Sequence, residues 1–164
     1  MIDPKLTSLE IYGIAVKSEI DAINAYQKIA KKVENQDLNK KLQFLEGEEK
    51  KHRKLLENRY RLEFPDTKLM LPKDGLAPKL NIALEEDTPL ARLFELSMEA
   101  EKASEDFYSE AAKRAQDQTG KNMLFYLSGM ERGHYYLLKS EYDLMQQFDK
   151  FESYKKFSLE HLGP

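Results

Sequence analysis

Two glutamate–histidine pairs, Glu49-x-x-His52 and Glu131-x-x-His134, stand 82 residues apart, and each follows a further glutamate, Glu19 or Glu101, by 30 residues. Side chains three apart share one helix face, so each Glu and His can reach the same ion or adjacent ions. Glu19 lies seven residues from both Tyr12 and Tyr26, and Glu101 seven from Phe94 and Tyr108. Glu49 is flanked in the same way by Leu42 and Leu56, and Glu131 by Leu124 and Leu138. Seven residues is two helical turns, so all four carboxylates share the apolar, inward faces of their helices. An unpaired ionised carboxylate in such a place costs several kcal/mol. Four together would repel one another and largely protonate. Two divalent or trivalent cations at the centre resolve the conflict, with four carboxylates to share and one imidazole for each metal.

The elements that must position these residues follow from a repeat. Sliding the chain by 82 residues aligns its halves without a gap, giving 14 identities over the 45 positions from Ser18 to Leu62. Two copies of a helical hairpin fit such a period, which is too long and too few in number for a solenoid. A first helix starts near Thr7, where Thr7-x-x-Glu10 has capping-box spacing. Its stripe of Leu9, Tyr12, Val16, Ile23, Tyr26, Ala30 and Val33 faces inward. After a break near Asn35 a second helix runs through Leu62, with Leu38, Leu42, Leu45, Leu55 and Leu56 inward. Residues 64–88 hold Pro65, Pro72, Gly75 and Pro78 and read as an irregular crossover along the bundle. Asp87-Thr88-Pro89 caps a third helix, which breaks near Asp117–Gly120, and a fourth runs to about Gln147. The expected fold is all-α: a four-helix bundle of two hairpin repeats (about 7–63 and 89–147) joined by a long crossover, residues 1–147 forming one domain. The tail 148–164, with four aromatic residues, is a candidate short docking helix.

Composition narrows the chemistry. In 164 residues there are 26 Lys and Arg against 29 Asp and Glu, a net charge of -3, so binding to nucleic acid through bulk charge is not expected. The absence of cysteine removes disulfides, thiol catalysis and every cysteine-ligated metal site, leaving Glu, Asp and His as donors. No apolar run approaches the roughly 20 residues of a membrane span. Met1-Ile2-Asp3-Pro4 does not read as a signal peptide, and a cytoplasmic setting without membrane partners is expected.

At these residues the chain resembles the rubrerythrin-like branch of the ferritin-like superfamily, whose bundles carry one Glu from each of two helices and Glu-x-x-His from each of the others. The resemblance spans about residues 7 to 147. It rests on Ser-Glu-Ile-Asp-Ala-Ile-Asn-Ala-Tyr around Glu19, Ala-Glu-Lys-Ala-Ser-Glu-Asp-Phe-Tyr around Glu101, and the two Glu-x-x-His pairs. It implies two iron ions per chain, with manganese or a mixed pair as the alternative metals. Glu19 and Glu101 would be terminal ligands, Glu49 and Glu131 bridges, and His52 and His134 caps. Tyr26 and Tyr108 would either hydrogen-bond ligand carboxylates or simply fill the core. The implied activity is reduction of hydrogen peroxide or oxygen at a diferrous site, and the implied assembly is a homodimer. Rubrerythrins proper also carry a cysteine-ligated rubredoxin domain. This chain has no cysteine, so its electrons would come from an external donor such as a rubredoxin-like protein.

A second departure concerns an extra carboxylate that rubrerythrins place one turn after the third-helix glutamate. Here Ser104 stands three residues on from Glu101, and Glu105 at four on reads as solvated surface, with a seventh ligand or a supporting group as the alternatives. Gly47 and Gly129, two residues before the bridging glutamates, suggest a close helix approach beside the site. Glu46, Glu48 and His161 read as exposed. Two functions compete with a redox enzyme: a ferroxidase centre feeding iron storage or handling, and a metal-stabilised bundle without catalysis.

Overall fold

The structure, a computed structural model, describes residues 3–161, and from residue 150 onward the backbone alone. It is all-α, with five helices and no strand among the described residues. The helices are α1 (Ser8–Lys31), α2 (Gln36–Glu63), α3 (Pro78–Glu85), α4 (Leu90–Arg114) and α5 (Gln118–His161). None is long and apolar enough to cross a membrane.

Local chemistry sets the ends of the helices. Thr7 caps α1 in a capping box with Glu10, and the Asn35 side chain accepts from the backbone N–H groups of Asp37 and Leu38 to start α2. Asp117 accepts from the Gly120 N–H at the start of α5. The start of α4 differs from expectation. Pro89 itself occupies the cap position and no side chain caps the helix, so Thr88 plays no such part. The crossover also differs: it is not irregular throughout, because Pro78 at its first turn starts the two-turn α3, which buries Leu80, Ala83 and Leu84. No break separates the tail from the fourth long helix, and α5 runs on to His161. The docking role expected of the tail, and the exposure expected of His161, concern side chains outside those described.

α1 packs on α2 and α4 on α5, forming two hairpins, and α3 lies across α1 and α4. Two apolar clusters fill the bundle. One gathers Tyr26 and Ile29 of α1, Leu42 and Leu45 of α2, Leu93 and Phe94 of α4, and Leu138 of α5. The other gathers Tyr12 and Val16, Leu56 and Tyr60, Tyr108 and Ala112, and Leu127. Along every long helix the candidate ligands fall between these two clusters. The antiparallel register thereby assembles one polar layer across an otherwise apolar core. Leu9 and Leu55, expected inward, lie partly exposed at 37% each.

Two glycines pin the crossover to α1. A Cβ on Gly13 would collide with the Met70 carbonyl oxygen, and one on Gly75 would lie 2.7 Å from Asp21 Oδ2 and 3.1 Å from Ser18 Cα. Gly47 and Gly129 do not mark a close approach, since a Cβ on either would meet nothing within 4 Å. These contacts separate two substitutions of the same kind. Gly129→Ala should stabilise the chain by about 1 kcal/mol through helix propensity alone. Gly13→Ala should destabilise it by about 1–3 kcal/mol, because backbone must shift to make room. Urea unfolding of the two variants beside the parent checks both signs.

Candidate metal centre

Glu19 comes from α1, Glu49 and His52 from α2, Glu101 from α4, and Glu131 and His134 from α5. All six are buried, none more than 3% exposed. One donor atom from each of Glu49, His52, Glu131 and His134 lies within 4.8 Å of the others. His52 Nδ1 stands 3.0 Å from Glu49 Oε2, 3.1 Å from Glu131 Oε1 and 3.8 Å from Glu19 Oε2. His134 Nδ1 stands 2.8 Å from Glu49 Oε1, 3.3 Å from Glu131 Oε2 and 3.7 Å from Glu101 Oε2. Glu49 and Glu131 thus each offer one oxygen to either histidine, whereas Glu19 and Glu101 each face one. The two imidazoles stack with ring centroids 5.3 Å apart.

The tyrosines complete a crosswise pattern. Tyr26 of α1 donates to Glu101 Oε1 of α4, and Tyr108 of α4 donates to Glu19 Oε1 of α1. Burial, then the nearby carboxylate charge, raises both phenols well above their ordinary range, so each stays protonated and keeps its donor role. With Oε1 held, each of these glutamates turns Oε2 toward the centre. A shift of 82 residues exchanges the two contacts, which gives the site an approximate twofold symmetry.

Electrostatics leave the site unfinished as a purely protein structure. Burial is the largest cause raising Glu19 and Glu101 well above the usual carboxylate range, and the charges of Glu49 and Glu131 add to it. Burial also opposes ionisation of Glu49, but the neighbouring imidazoles of His134 and His52 outweigh it and lower that carboxyl. At His52 the desolvation is overridden by Glu131 and Glu49, which push the imidazole up to about 9. At His134 it is overridden by Glu101, Glu131 and Glu49, and the group rises to about 12. Several atoms nevertheless lack partners: Glu49 Oε1, Glu131 Oε1, His52 Nε2 and both ring nitrogens of His134. His134 Nδ1 and Glu49 Oε1 approach closely without a hydrogen bond between them. Donor atoms crowded together yet not bonded to one another are what a shared cation requires. Four carboxylates also carry the charge that balances two divalent ions. The Glu and His group can bind a metal ion pair.

Glu105 corrects the reading of a solvated carboxylate. It is 7% exposed and lies outside the ligand group, held by Arg132 Nε at 2.7 Å and Lys102 Nζ at 3.0 Å. Burial opposes its charge, but these cations win and lower the carboxyl. Ser128 also donates to the Glu105 carbonyl at 3.0 Å, fastening α5 to α4. Glu46 and Glu48 are half-buried and bind Lys50 and Lys51. Asp21 is a further buried acid, one that the repeat does not pair. It is 8% exposed, its Oδ1 binds Lys17, and its Oδ2 has no partner. Its repeat mate is Ala103, so a search for paired acids passes over it.

The profile of the family described as Rubrerythrin matches residues 10–142. A solved structure of a hypothetical protein from Pyrococcus furiosus superposes with a TM-score of 0.77 at 31% identity, covering 87% of this chain and 92% of its own. No curated protein matches.

The metal-free chain carries a pH signature. The imidazolium groups are raised in the fold, so their stabilisation is complete below the unfolded value near 6.5. It is lost as pH climbs through about 9 at His52 and about 12 at His134. Glu19 and Glu101, also raised, contribute with the same sign. Glu49 has the opposite sign but acts only below the carboxylate range. Thermal unfolding of the metal-free chain should therefore move to lower temperature between pH 7 and 9. With two equivalents of a divalent ion the decline should disappear, because cations then replace the protons.

Proposed function

The chain belongs to the rubrerythrin family, and from that premise we propose that it is a di-iron carboxylate oxidoreductase that reduces hydrogen peroxide with electrons from an external donor. The observation that carries the reading is the sharing of Glu49 and Glu131 between the two histidines, which provides two adjacent sites with two common ligands. Glu19 and His52 complete one site, and Glu101 and His134 the other. An iron pair bound there supplies two one-electron oxidations, matching the two electrons and two protons that convert hydrogen peroxide into two waters.

The protein's part is preparation. Tyr26 and Tyr108 fix the orientation of Glu101 and Glu19, so the carboxylates do not reorganise when the charge at the centre changes. Phe94, Leu127 and Leu138, each fully buried, belong to the apolar clusters that close the layer on either side. The space beside the glutamates is about 20 Å³, room for a water-sized molecule. Arg132 and Lys102 engage the Glu105 carboxylate, which supports a ligand set of six side chains rather than seven. In this reading the reductant is an external donor, and a rubredoxin-like carrier is the class it would belong to. A homodimer is the expected assembly.

Anaerobic loading with two ferrous ions per chain, then stopped-flow mixing with hydrogen peroxide or with oxygen, tests the reaction. The expected result is much faster oxidation by peroxide, with two irons bound at the end. Faster oxidation by oxygen, with iron taken up beyond two per chain, would instead assign ferroxidase chemistry and iron handling. Replacing Glu131 by Ala should cost one or both metals, as read by iron content after gel filtration. Full retention with unchanged peroxide kinetics would remove the bridging role.

A further inference from the structure

The four ligand glutamates meet one small cavity, of about 20 Å³, that lies between α1 and α4 under the crossover. Ser18 and Asp21 wall it on α1, Ala100 and Ser104 on α4, and Leu76, Ala77 and Leu80 roof it. The roof is fastened to α1: the Leu76 N–H donates to Ser18 Oγ at 3.0 Å, and Ser18 Oγ donates to the Ile14 carbonyl at 2.9 Å. Asp21 Oδ2 lines this wall, buried and unpartnered, with its side chain 10% exposed. A larger cavity of about 250 Å³ opens at one end of the bundle, but none of the six ligand residues lines it. Its carboxylates are already engaged, Glu63 and Asp117 both by Arg59.

We propose that the gap beneath the crossover is the route by which divalent cations reach the centre, and that Asp21 is the carboxylate that receives them on the way. The inference rests on the two-metal reading above and adds to it an entry site outside the six ligands. A passage this small admits a water-sized species at a time, so a hydrated cation must exchange waters for protein oxygens as it enters. Asp21 Oδ2 is a buried, unpartnered oxygen outside the ligand set that can take part in this exchange. Lys17 on Oδ1 holds the carboxylate in place and offsets part of its charge. That offset keeps the station weaker than the four-carboxylate centre beyond it, so a cation passes inward rather than stopping. The acidic lining raises the local cation concentration at the mouth.

Cobalt(II) is the probe, since its visible absorption reports coordination without turnover. Stopped-flow loading of the metal-free full chain would be compared in three variants. Asp21→Asn keeps the shape and removes the charge, Ser104→Leu fills the gap, and Ala115→Leu alters the rim of the larger cavity. The first two should load about tenfold more slowly, the low end of what a charged cleft contributes to an on-rate, and still end at two ions per chain. Ala115→Leu should load at the parent rate. Parent rates in both Asp21→Asn and Ser104→Leu, or slowing in Ala115→Leu alone, would overturn the route. An end point below two ions in Asp21→Asn would also overturn it, by making Asp21 part of the centre. A parent chain that binds no cobalt would sink the two-metal reading itself, independently of the route.

Discussion

Four carboxylates share one layer of a helical core, and the rest of the structure answers their mutual repulsion. Burial and the charges of Glu49 and Glu131 drive Glu19 and Glu101 toward their neutral forms. The imidazoles supply positive charge, but their contacts with the carboxylates remain partly unbonded. Protons are therefore a partial remedy, and the same positions serve two divalent cations better. The two apolar clusters are built around this constraint. Each ends where the polar layer begins, so the helices that make the core also fix the separation of the donors.

The duplicated hairpin makes the arrangement economical. A single hairpin carries Glu19, Tyr26, Glu49 and His52 and satisfies them only in part, through the 3.0 Å contact of His52 Nδ1 with Glu49 Oε2. Tyr26 reaches Glu101, and Glu19 receives Tyr108, so each half supplies the donor that orients the other half's carboxylate. His52 likewise stands against Glu131, and His134 against Glu49. The polar interactions that define the centre are thus the ones that join the hairpins, which links ligand geometry to correct docking of the two halves. Losing one member leaves a buried polar group without its partner, a cost of roughly 1–3 kcal/mol for each group.

Much of this was legible in the residue pattern because two independent signals coincide there. The spacing of Glu19, Glu49, Glu101 and Glu131 among apolar residues places them inward, and the 82-residue repeat pairs them. The structure then brings those four and both histidines into one layer, and it gives Tyr26 and Tyr108 hydrogen bonds that spacing could not choose over simple packing. What escaped depends on contacts between distant segments. Glu105 is inward because Arg132, on another helix, neutralises it, and no periodicity within α4 shows that partner. Gly47 and Gly129 repeat without any close neighbour, whereas the glycines that carry contacts, Gly13 and Gly75, correspond to Glu95 and Phe157 across the repeat, so repetition does not single them out. α3 lies within a proline-bearing segment, where Pro78 starts a helix rather than breaking one.

The crossover is where the twofold pattern fails, and the failure is informative. A duplicated hairpin needs one connection, and a single connection cannot itself obey the twofold relation. Here it lies over α1 and α4, fastened by Ser18 and admitted by Gly13 and Gly75. The repeat mate of Ser18 is Ala100 and that of Gly13 is Glu95, neither suited to hold a second strap. Asp21, the buried acid with a free oxygen, lies on this covered side, and Ala103 stands at the equivalent place. The ligands follow the symmetry of the two ions they suit, whereas the residues around the gap follow the asymmetry of the strap. Access to the centre is therefore shaped by the part of the chain that was never duplicated, and residues 64–88 can change which species enter without disturbing the six that would bind the metals.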